Sequence, residues 1–234
     1  MKHVLYTAGA LIMVVLFHGL SMAGSFPVDD YVDKDDTQIV AWATGYENYV
    51  IGSHVDAAWQ TPQKALGAAV GDSYDIVCLG RGGTITMTFD APIVNGDGPD
   101  FAIFENGFED TFLEVAYVEV SSNGVDFVRF DNYSSTRDPV GAFDKKMDAS
   151  DLYQLAGKHM QGLGTLFDLE NLKSNIGDDH SILDLNHITH VRIVDIVGDG
   201  TYTDTWGNVI YDPYPTDLSA GFDLDAVAVL NQGE

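Results

Sequence analysis

The hydrophobic and polar positions of this chain alternate with a period of two over several short stretches. The alternation is clear in 84–89, where Ile85, Met87 and Phe89 share one face, and again in 222–230. A period of two is typical of strands that bury one face. The stretch 222–230 also carries Asp223 and Asp225, and a strand end with two carboxylates is costly unless a cation or donor receives them.

Other strand-like stretches are bounded by Gly, Pro and Asn turns. They predict strands at 26–32, 74–79, 101–105, 114–122, 126–130 and 190–196, with a hairpin signal at Asn123-Gly124. The segment 131–187 breaks the pattern, and its glycines separate two expected short helices, 151–158 and 167–173. We therefore predict an all-β protein with one domain at 24–234, an antiparallel β-sandwich or jelly roll with a loop and short-helix insertion at 131–187.

The first residues have the features of an export signal. Lys2 and His3 are followed by an apolar run from Val4 to Leu20, and Ser21-Met22-Ala23 fits a small-residue cleavage pattern. We expect a signal peptide at 1–23, so that Gly24 begins the exported chain. The alternative is a membrane anchor, because the apolar run is nearly long enough to span a bilayer. No second apolar run of that length follows.

The composition is strongly acidic, with a formal net charge of −25. Such a surface repels nucleic acid and anionic lipid and attracts cations. A disordered acidic chain does not fit, because 45% of the residues are hydrophobic and 11% are aromatic. Cys78 is the single cysteine, so no internal disulfide can form, and its apolar neighbours indicate a small buried side chain.

Two acid-rich segments are candidates for a calcium site. The first spans 95–110, and the second spans 195–225. Calcium takes six to eight oxygen ligands from carboxylates, amides and carbonyls, and acidic loops at the end of a sandwich can supply them. We expect Asp223 and Asp225, with Glu105 or Asp100, to hold the ion. The alternative is that these residues form ordinary turns and solvated strand ends.

Aromatic residues in loop-like sequence are candidates for ligand binding. Trp206, Tyr211 and Tyr214 are surrounded by Gly and Asp, so we expect them to form a surface for a sugar. Trp42 and Trp59 are expected in the core, where aromatic side chains commonly lie.

Signals for catalysis are weaker. Glu105 with Glu119, or Asp195 with Asp225, could act as a pair of glycosidase carboxylates, but the sequence does not supply their spacing. The chain has no Gly-x-Ser-x-Gly elbow, phosphate-binding loop or His-Glu-x-x-His zinc motif. We therefore name no catalytic residue and expect a non-enzymatic protein.

Several motifs resemble those of secreted bacterial cell-surface proteins of the PEP-CTERM-associated type. They are Gly98-Pro-Asp-Phe-Ala-Ile-Phe-Glu-Asn-Gly-Phe, Val118-Glu-Val-Ser-Ser-Asn-Gly-Val-Asp-Phe and Gly221-Phe-Asp-Leu-Asp-Ala-Val-Ala-Val, with the stretches 65–68, 79–89, 155–159, 164–169 and 188–195. The resemblance covers most of the exported chain and implies a location and a fold more than an activity. The last residues, Leu230–Glu234, carry no Pro-Glu-Pro sorting tail, so attachment through that sorting system is not expected.

More distantly, the stretch 118–127 is similar to discoidin-type and galactose-binding-like jelly rolls, and the ending 222–227 resembles carbohydrate-binding jelly rolls. In the carbohydrate-binding jelly rolls, an acidic residue at this position commonly binds a structural calcium. Together these arguments predict a secreted or cell-surface β-sandwich, with the periplasm as an alternative location, that is stabilised by calcium and binds a glycan or another extracellular component. The alternatives are a structural subunit of an extracellular matrix and a glycan-acting hydrolase.

Overall fold

The computed structural model describes residues 26–176 and 182–233, so the signal peptide expected at 1–23 lies outside the described residues. The strands in chain order are β1 (Tyr31–Asp33), β2 (Ala41–Trp42), β3 (Gly45–Val50), β4 (Val77–Cys78), β5 (Thr84–Ile93), β6 (Phe101–Glu105), β7 (Ala116–Ser121), β8 (Val128–Arg129), β9 (Tyr133–Ser134), β10 (Leu152–Tyr153), β11 (Leu163–Phe167), β12 (Ile188–Asp195) and β13 (Asp223–Val229).

The strands form two main sheets. The first has the order β1-β11-β6-β13-β2, with β4 also paired to β13, and the second has the order β3-β5-β12-β7-β8. The strands β9 and β10 pair only with each other among the described residues. Every pairing in this part of the chain is antiparallel, which confirms the predicted antiparallel β-sandwich.

Helical structure in the described residues is short. It comprises 3₁₀ turns at Ala57–Trp59, Pro62–Ala65, Ala149–Asp151 and Leu169–Leu172, and an α-helix at Lys173–Ile176. Within residues 26–176 and 182–233, no helix has the length and apolar character needed to cross a membrane.

The main hydrophobic core lies between the two sheets. Ile103 and Val227 from the first sheet pack in one cluster with Met87 and Val191 from the second. Phe101 stacks on Phe167 with ring centroids 5.3 Å apart. Burial of these aromatic and branched side chains is the main force that holds the sheets together, since each contributes about 1.5–3 kcal/mol when fully buried.

The final strand differs from its predicted alternation. Leu224 belongs to the main core, but so do Val227 and Val229, whereas Ala226 and Ala228 belong to a smaller cluster on the other side of the sheet. The cause is a register shift against β6 between Leu224 and Ala226, which reverses the faces of the residues that follow.

The segment 131–187 is more than the expected insertion of loops and short helices. Its strand β11 lies between β1 and β6 inside the first sheet. Gly164 permits this position, because a Cβ atom there would lie 2.6 Å from the Phe104 ring. The close approach explains why β11 has a glycine where an apolar side chain would have revealed a strand.

A pocket with a buried acidic floor

The ends of several strands meet at one end of the sandwich. Because the pairings are antiparallel, β6 ends where β13 begins, with Glu105 opposite Leu224. In the other sheet, β12 ends opposite the start of β7, with Asp195 opposite Ala116. The connection from β6 to β7 and the long connection from β12 to β13 therefore close over the same end of the molecule.

This end buries five carboxyl side chains. Each is at most 6% exposed, and the set comprises Glu105, Glu114, Asp195, Asp212 and Asp223. In the described part of the chain, none of them forms an ion pair with a basic side chain. Five buried carboxylates without a paired cation cannot all be ionised at low cost, so protons or a cation must offset their charge.

The protonation of the acids reflects this environment. Burial raises the pKa of Glu114 well above its usual range, and the neighbouring Asp223 and Asp212 carboxyls raise it further. Burial likewise raises the pKa of Asp223 to about 7. For Asp195 burial raises the pKa to about 6, while the Arg81 guanidinium and two backbone N–H groups act in the opposite direction.

Three of the acids have backbone donors. Asp195 accepts hydrogen bonds from the N–H groups of Gly82 and Phe222, at 2.7 and 2.8 Å. Glu105 accepts one from the Gly107 N–H at 2.6 Å. Asp212 accepts one from the Val115 N–H at 2.7 Å. Through these hydrogen bonds the three carboxyls hold the connecting segments against the ends of the strands.

The other two acids each keep an oxygen without a partner. Glu114 Oε1 and Asp223 Oδ1 are buried and accept no hydrogen bond. Asn106 Nδ2 donates to the second oxygen of Asp223, at 3.2 Å. The Cys78 thiol lies opposite Asp223 on the paired strand and within hydrogen-bond reach of its carboxyl, but its Sγ also lies 3.0 Å from the Ala220 carbonyl, so two acceptors share one thiol hydrogen. An orphaned buried carboxylate oxygen costs about 1–3 kcal/mol or more, so these two atoms require an explanation.

Both orphaned oxygens belong to residues that line one pocket. The pocket has a volume of about 220 Å³, and Glu114, Asp223 and Asn106 are among its lining residues. We call these three side chains the acidic floor. The described structure thus combines a concave site with unsatisfied acceptors.

Aromatic side chains form the walls of the pocket. Trp59 stacks on Tyr74 with ring centroids 6.3 Å apart, and Phe108 stacks on Phe112 at 5.2 Å. Tyr74 is 71% exposed, so its ring is available to a ligand. An exposed aromatic wall above polar acceptors is a common composition for small-ligand sites.

The structure brings together two of the four residues predicted to bind metal. Asp223 and Glu105 both belong to the acid cluster, and Asp223 raises the pKa of Glu105. Asp225 instead accepts the N–H groups of Val70 and Gly71, at 3.0 and 2.8 Å.

Asp100 lies at the opposite end of β6 from Glu105. Its carboxylate accepts hydrogen bonds from Gly96, Leu169 and Asn231. One ion cannot contact both ends of β6, because five strand residues span about 16 Å.

The three aromatic residues predicted to bind a ligand are not among the residues that line this pocket. Trp206 is 61% exposed and contacts Tyr133 edge to face. Tyr211 packs against the second hydrophobic cluster, and Tyr214 lies beneath the Arg81 guanidinium. Among the tryptophans expected in the core, Trp42 contacts Phe104, whereas Trp59 lines the pocket.

The carboxylate pairs considered for catalysis are also separated. Glu119 is held between Arg129 and Arg192 within the second sheet, where β7 pairs with β8 and β12. Glu105 has no such partner and lies in the acid cluster. Asp195 is in the cluster, while Asp225 is bound by the loop at Val70 and Gly71.

Sequence reasoning missed Glu114 as a site residue. It is the first residue of the strand predicted at 114–122. The signal that could have identified it is its apolar surroundings, since Phe112-Leu113 precede it and Val115-Ala116 follow it. A single acid inside such a run is buried with the run, and a buried acid needs a partner.

No group of three or more His, Cys, Asp or Glu side chains in the described residues is arranged to hold a metal ion by itself. The acidic floor offers two carboxylates and one amide, so Asp217 or a hydroxyl of the same pocket, water or a ligand would have to complete the coordination of a cation. A scan of protein-family models and a search of curated proteins returned no match to this chain.

Proposed function

We propose that this protein is an exported, non-catalytic β-sandwich module that is stabilised by calcium and binds an extracellular ligand, such as a glycan, in the pocket above the acidic floor. The observation that carries the proposal is that Glu114 and Asp223 line one pocket and that each has a buried carboxyl oxygen, Oε1 and Oδ1 respectively, without a hydrogen-bond partner. The expected signal peptide at 1–23 supports export.

Calcium fits the chemistry of the acidic floor. Its ligands are carboxylate and amide oxygens, and Glu114, Asp223 and Asn106 provide both kinds. A divalent cation would neutralise two of the buried negative charges and would give both orphaned oxygens a partner. Zinc is disfavoured, since it prefers nitrogen and sulfur ligands and the Cys78 thiol is directed to a carbonyl.

The walls of the pocket support a binding role. The exposed Tyr74 ring and the half-buried Trp59 offer flat apolar faces, and Asn106 and Ser73 offer hydrogen-bonding groups. The volume of about 220 Å³ is below the roughly 300–1,000 Å³ of pockets for drug-sized ligands. The site therefore suits one ring or one end of a longer chain.

The test is thermal unfolding of the chain from residue 24, first in chelator and then across a calcium titration. If the native state binds calcium, the melting temperature rises with calcium concentration. At a calcium concentration of a hundred times the Kd, the free energy of unfolding should increase by about 2.7 kcal/mol. The variants Glu114→Gln and Asp223→Asn should lose most of that rise.

Asp225→Asn and Asp100→Asn are matched controls, because both remove a buried charge whose oxygens already have backbone donors. They should lower the melting temperature in chelator but keep the calcium-dependent rise. A wild-type melting temperature that ignores both chelator and calcium would refute the proposal.

A glycan-acting hydrolase is the second candidate. Glu114 and Asp223 are two carboxyls with raised pKa values in one pocket, and such a pair can divide acid and base roles. Turnover of chromogenic glycosides that disappears in Glu114→Gln at saturating calcium would favour the enzyme over the binding module.

A further inference from the structure

We propose that the cation on the acidic floor contacts the extracellular ligand directly, so that the pocket recognises a sugar ring through two adjacent hydroxyl groups that ligate the ion. This inference rests on the calcium site of the proposed function. It differs from a purely structural ion, which would be enclosed by protein oxygens and would leave ligand binding to the aromatic walls alone.

The supply of protein oxygens is the first argument. Two carboxylates can provide at most four oxygens, and the Asn106 amide a fifth, whereas calcium takes six to eight. Asp217, Thr216 and Ser219 also line the pocket, but Asp217 is exposed and its Oδ1 already contacts His54 Nδ1 and accepts the Leu218 N–H. The other acids of the cluster have few oxygens to add. Glu105 and Asp212 each use an oxygen to accept a backbone N–H, and Asp195 uses both of its oxygens in this way.

The position of the two orphaned oxygens is the second argument. Glu114 and Asp223 are only 6% and 5% exposed, yet both line the pocket. A cation that reaches both carboxylates therefore has protein on one side and the pocket on the other. Its remaining coordination positions are open to water or to a ligand that enters the pocket.

The charge of the site is the third argument. Without a cation, ionised carboxyls on this floor repel anionic ligands, and protonated ones offer a neutral ligand only hydrogen bonds. A bound divalent cation reverses this preference, because hydroxyl oxygens then become ligands of the ion. The C–H face of a sugar ring would meanwhile pack against Tyr74, which stacks on Trp59 with an interplanar angle of 21°.

Terbium luminescence tests this inference on the same chain. Terbium(III) takes the oxygen ligands of calcium, and its emission is sensitised by an indole ring nearby. We expect sensitised emission that calcium competes away, and that is lost in Glu114→Gln and in Asp223→Asn but kept in the control Asp225→Asn. Trp59→Phe should weaken the emission and leave the terbium affinity unchanged, which would place the ion in this pocket.

The decisive readout is the number of water molecules on the bound terbium, obtained from its luminescence lifetimes in H₂O and D₂O. We expect at least one bound water, and a loss of bound water when a methyl glycoside from a panel with different arrangements of adjacent hydroxyls enters the pocket.

The outcomes separate the two proposals. A bound terbium ion that carries no water would overturn direct ligation and leave a stabilising calcium site intact. Bound water that no glycoside of the panel displaces would overturn the assignment to a sugar diol. Failure of terbium and calcium to bind at all would remove the proposed calcium site and this inference together.

Discussion

Asp195 shows how a single buried acid can hold two parts of the chain together. Its carboxylate accepts the N–H of Gly82, just before β5, and the N–H of Phe222, just before β13. Asp195→Ala would leave the buried Phe222 N–H without an acceptor, at about 1–3 kcal/mol, whereas water can reach the Gly82 N–H in its exposed turn. We therefore predict a loss of about 1–3 kcal/mol in the free energy of unfolding, measured by urea denaturation.

Asp199→Ala is the matched control for that substitution. Asp199 also accepts a backbone N–H, from Thr201, but it is exposed to water. Its removal should change the free energy of unfolding by about 0.5 kcal/mol or less, because water can replace the lost acceptor. Equal losses in the two variants would contradict the role assigned to burial.

Cys78 allows a second prediction at the residue scale. The side chain is fully buried, and burial raises the pKa of its thiol far above the usual range, with the neighbouring Asp223 carboxyl adding to the effect. Since the thiolate is the reactive form, we predict no labelling by a thiol-disulfide reagent under native conditions and complete labelling in urea. Fast labelling of the folded protein would show that β4 opens readily.

The edge strand β1 carries the next prediction, at the scale of the element. Asp30, just before β1, accepts hydrogen bonds from the buried Lys158 at 2.7 Å and from His159 at 3.1 Å. Burial alone would raise the pKa of Asp30, but these two contacts outweigh it and leave the pKa below its usual value. The ionised form of Asp30 is therefore the form that stabilises the folded state.

A lowered pKa fixes the direction of the pH effect. The stabilisation is present above the unfolded pKa of Asp, about 3.9, and is lost as the pH falls through the lower folded pKa. We predict that Asp30→Asn lowers the free energy of unfolding by about 1–3 kcal/mol at neutral pH, since it leaves the Lys158 charge unpaired, and that this deficit shrinks as the pH falls below the unfolded pKa. The exposed neighbour Asp29 supplies the control, Asp29→Asn, for which a pH-dependent deficit of the same size would argue against the ion pair.

The elements that the sequence predicted best are those with a clear local pattern. The strand predicted at 101–105 has the same bounds in the structure. The strand predicted at 84–89 begins at the same residue and continues four residues further, to Ile93. The pattern failed where a contact distant in sequence decides the structure. The strand β11 has no recognisable pattern because Gly164 stands where an apolar side chain would collide with the Phe104 ring. The register shift in β13 depends on the pairing of this strand with β6.

The candidate site required the whole molecule. Sequence alone indicated that Asp223 and Glu105 were acids near predicted strand ends, and they do lie in one cluster. It could not predict that Asp223 lies near Glu114, since the two side chains come together only when both sheets and the loops at one end assemble. Nor could it separate Asp225 and Asp100 from the pocket, because their backbone donors come from loops that are distant along the chain.

The net charge of −25 leads to the last prediction, at the scale of the whole molecule. Repulsion among exposed carboxylates destabilises the folded state, and salt screens it over about 8 Å at physiological ionic strength. In chelator, we predict that the melting temperature rises with sodium chloride in the wild type and in Glu114→Gln alike. A melting temperature that is insensitive to salt would mean that the exposed charges are too far apart to matter.

A calcium site predicts a different dependence. At constant ionic strength, replacing sodium by calcium should raise the melting temperature further in the wild type. The reason is that calcium would bind the carboxyls of Glu114 and Asp223, whereas screening of surface charge depends only on ionic strength. Magnesium should give a smaller rise at the same concentration, since it demands near-ideal octahedral geometry and gives up its water reluctantly. If calcium, magnesium and extra sodium gave equal rises at matched ionic strength, the acidic floor would be one more part of a screened acidic surface, and the orphaned oxygens would be explained by protons.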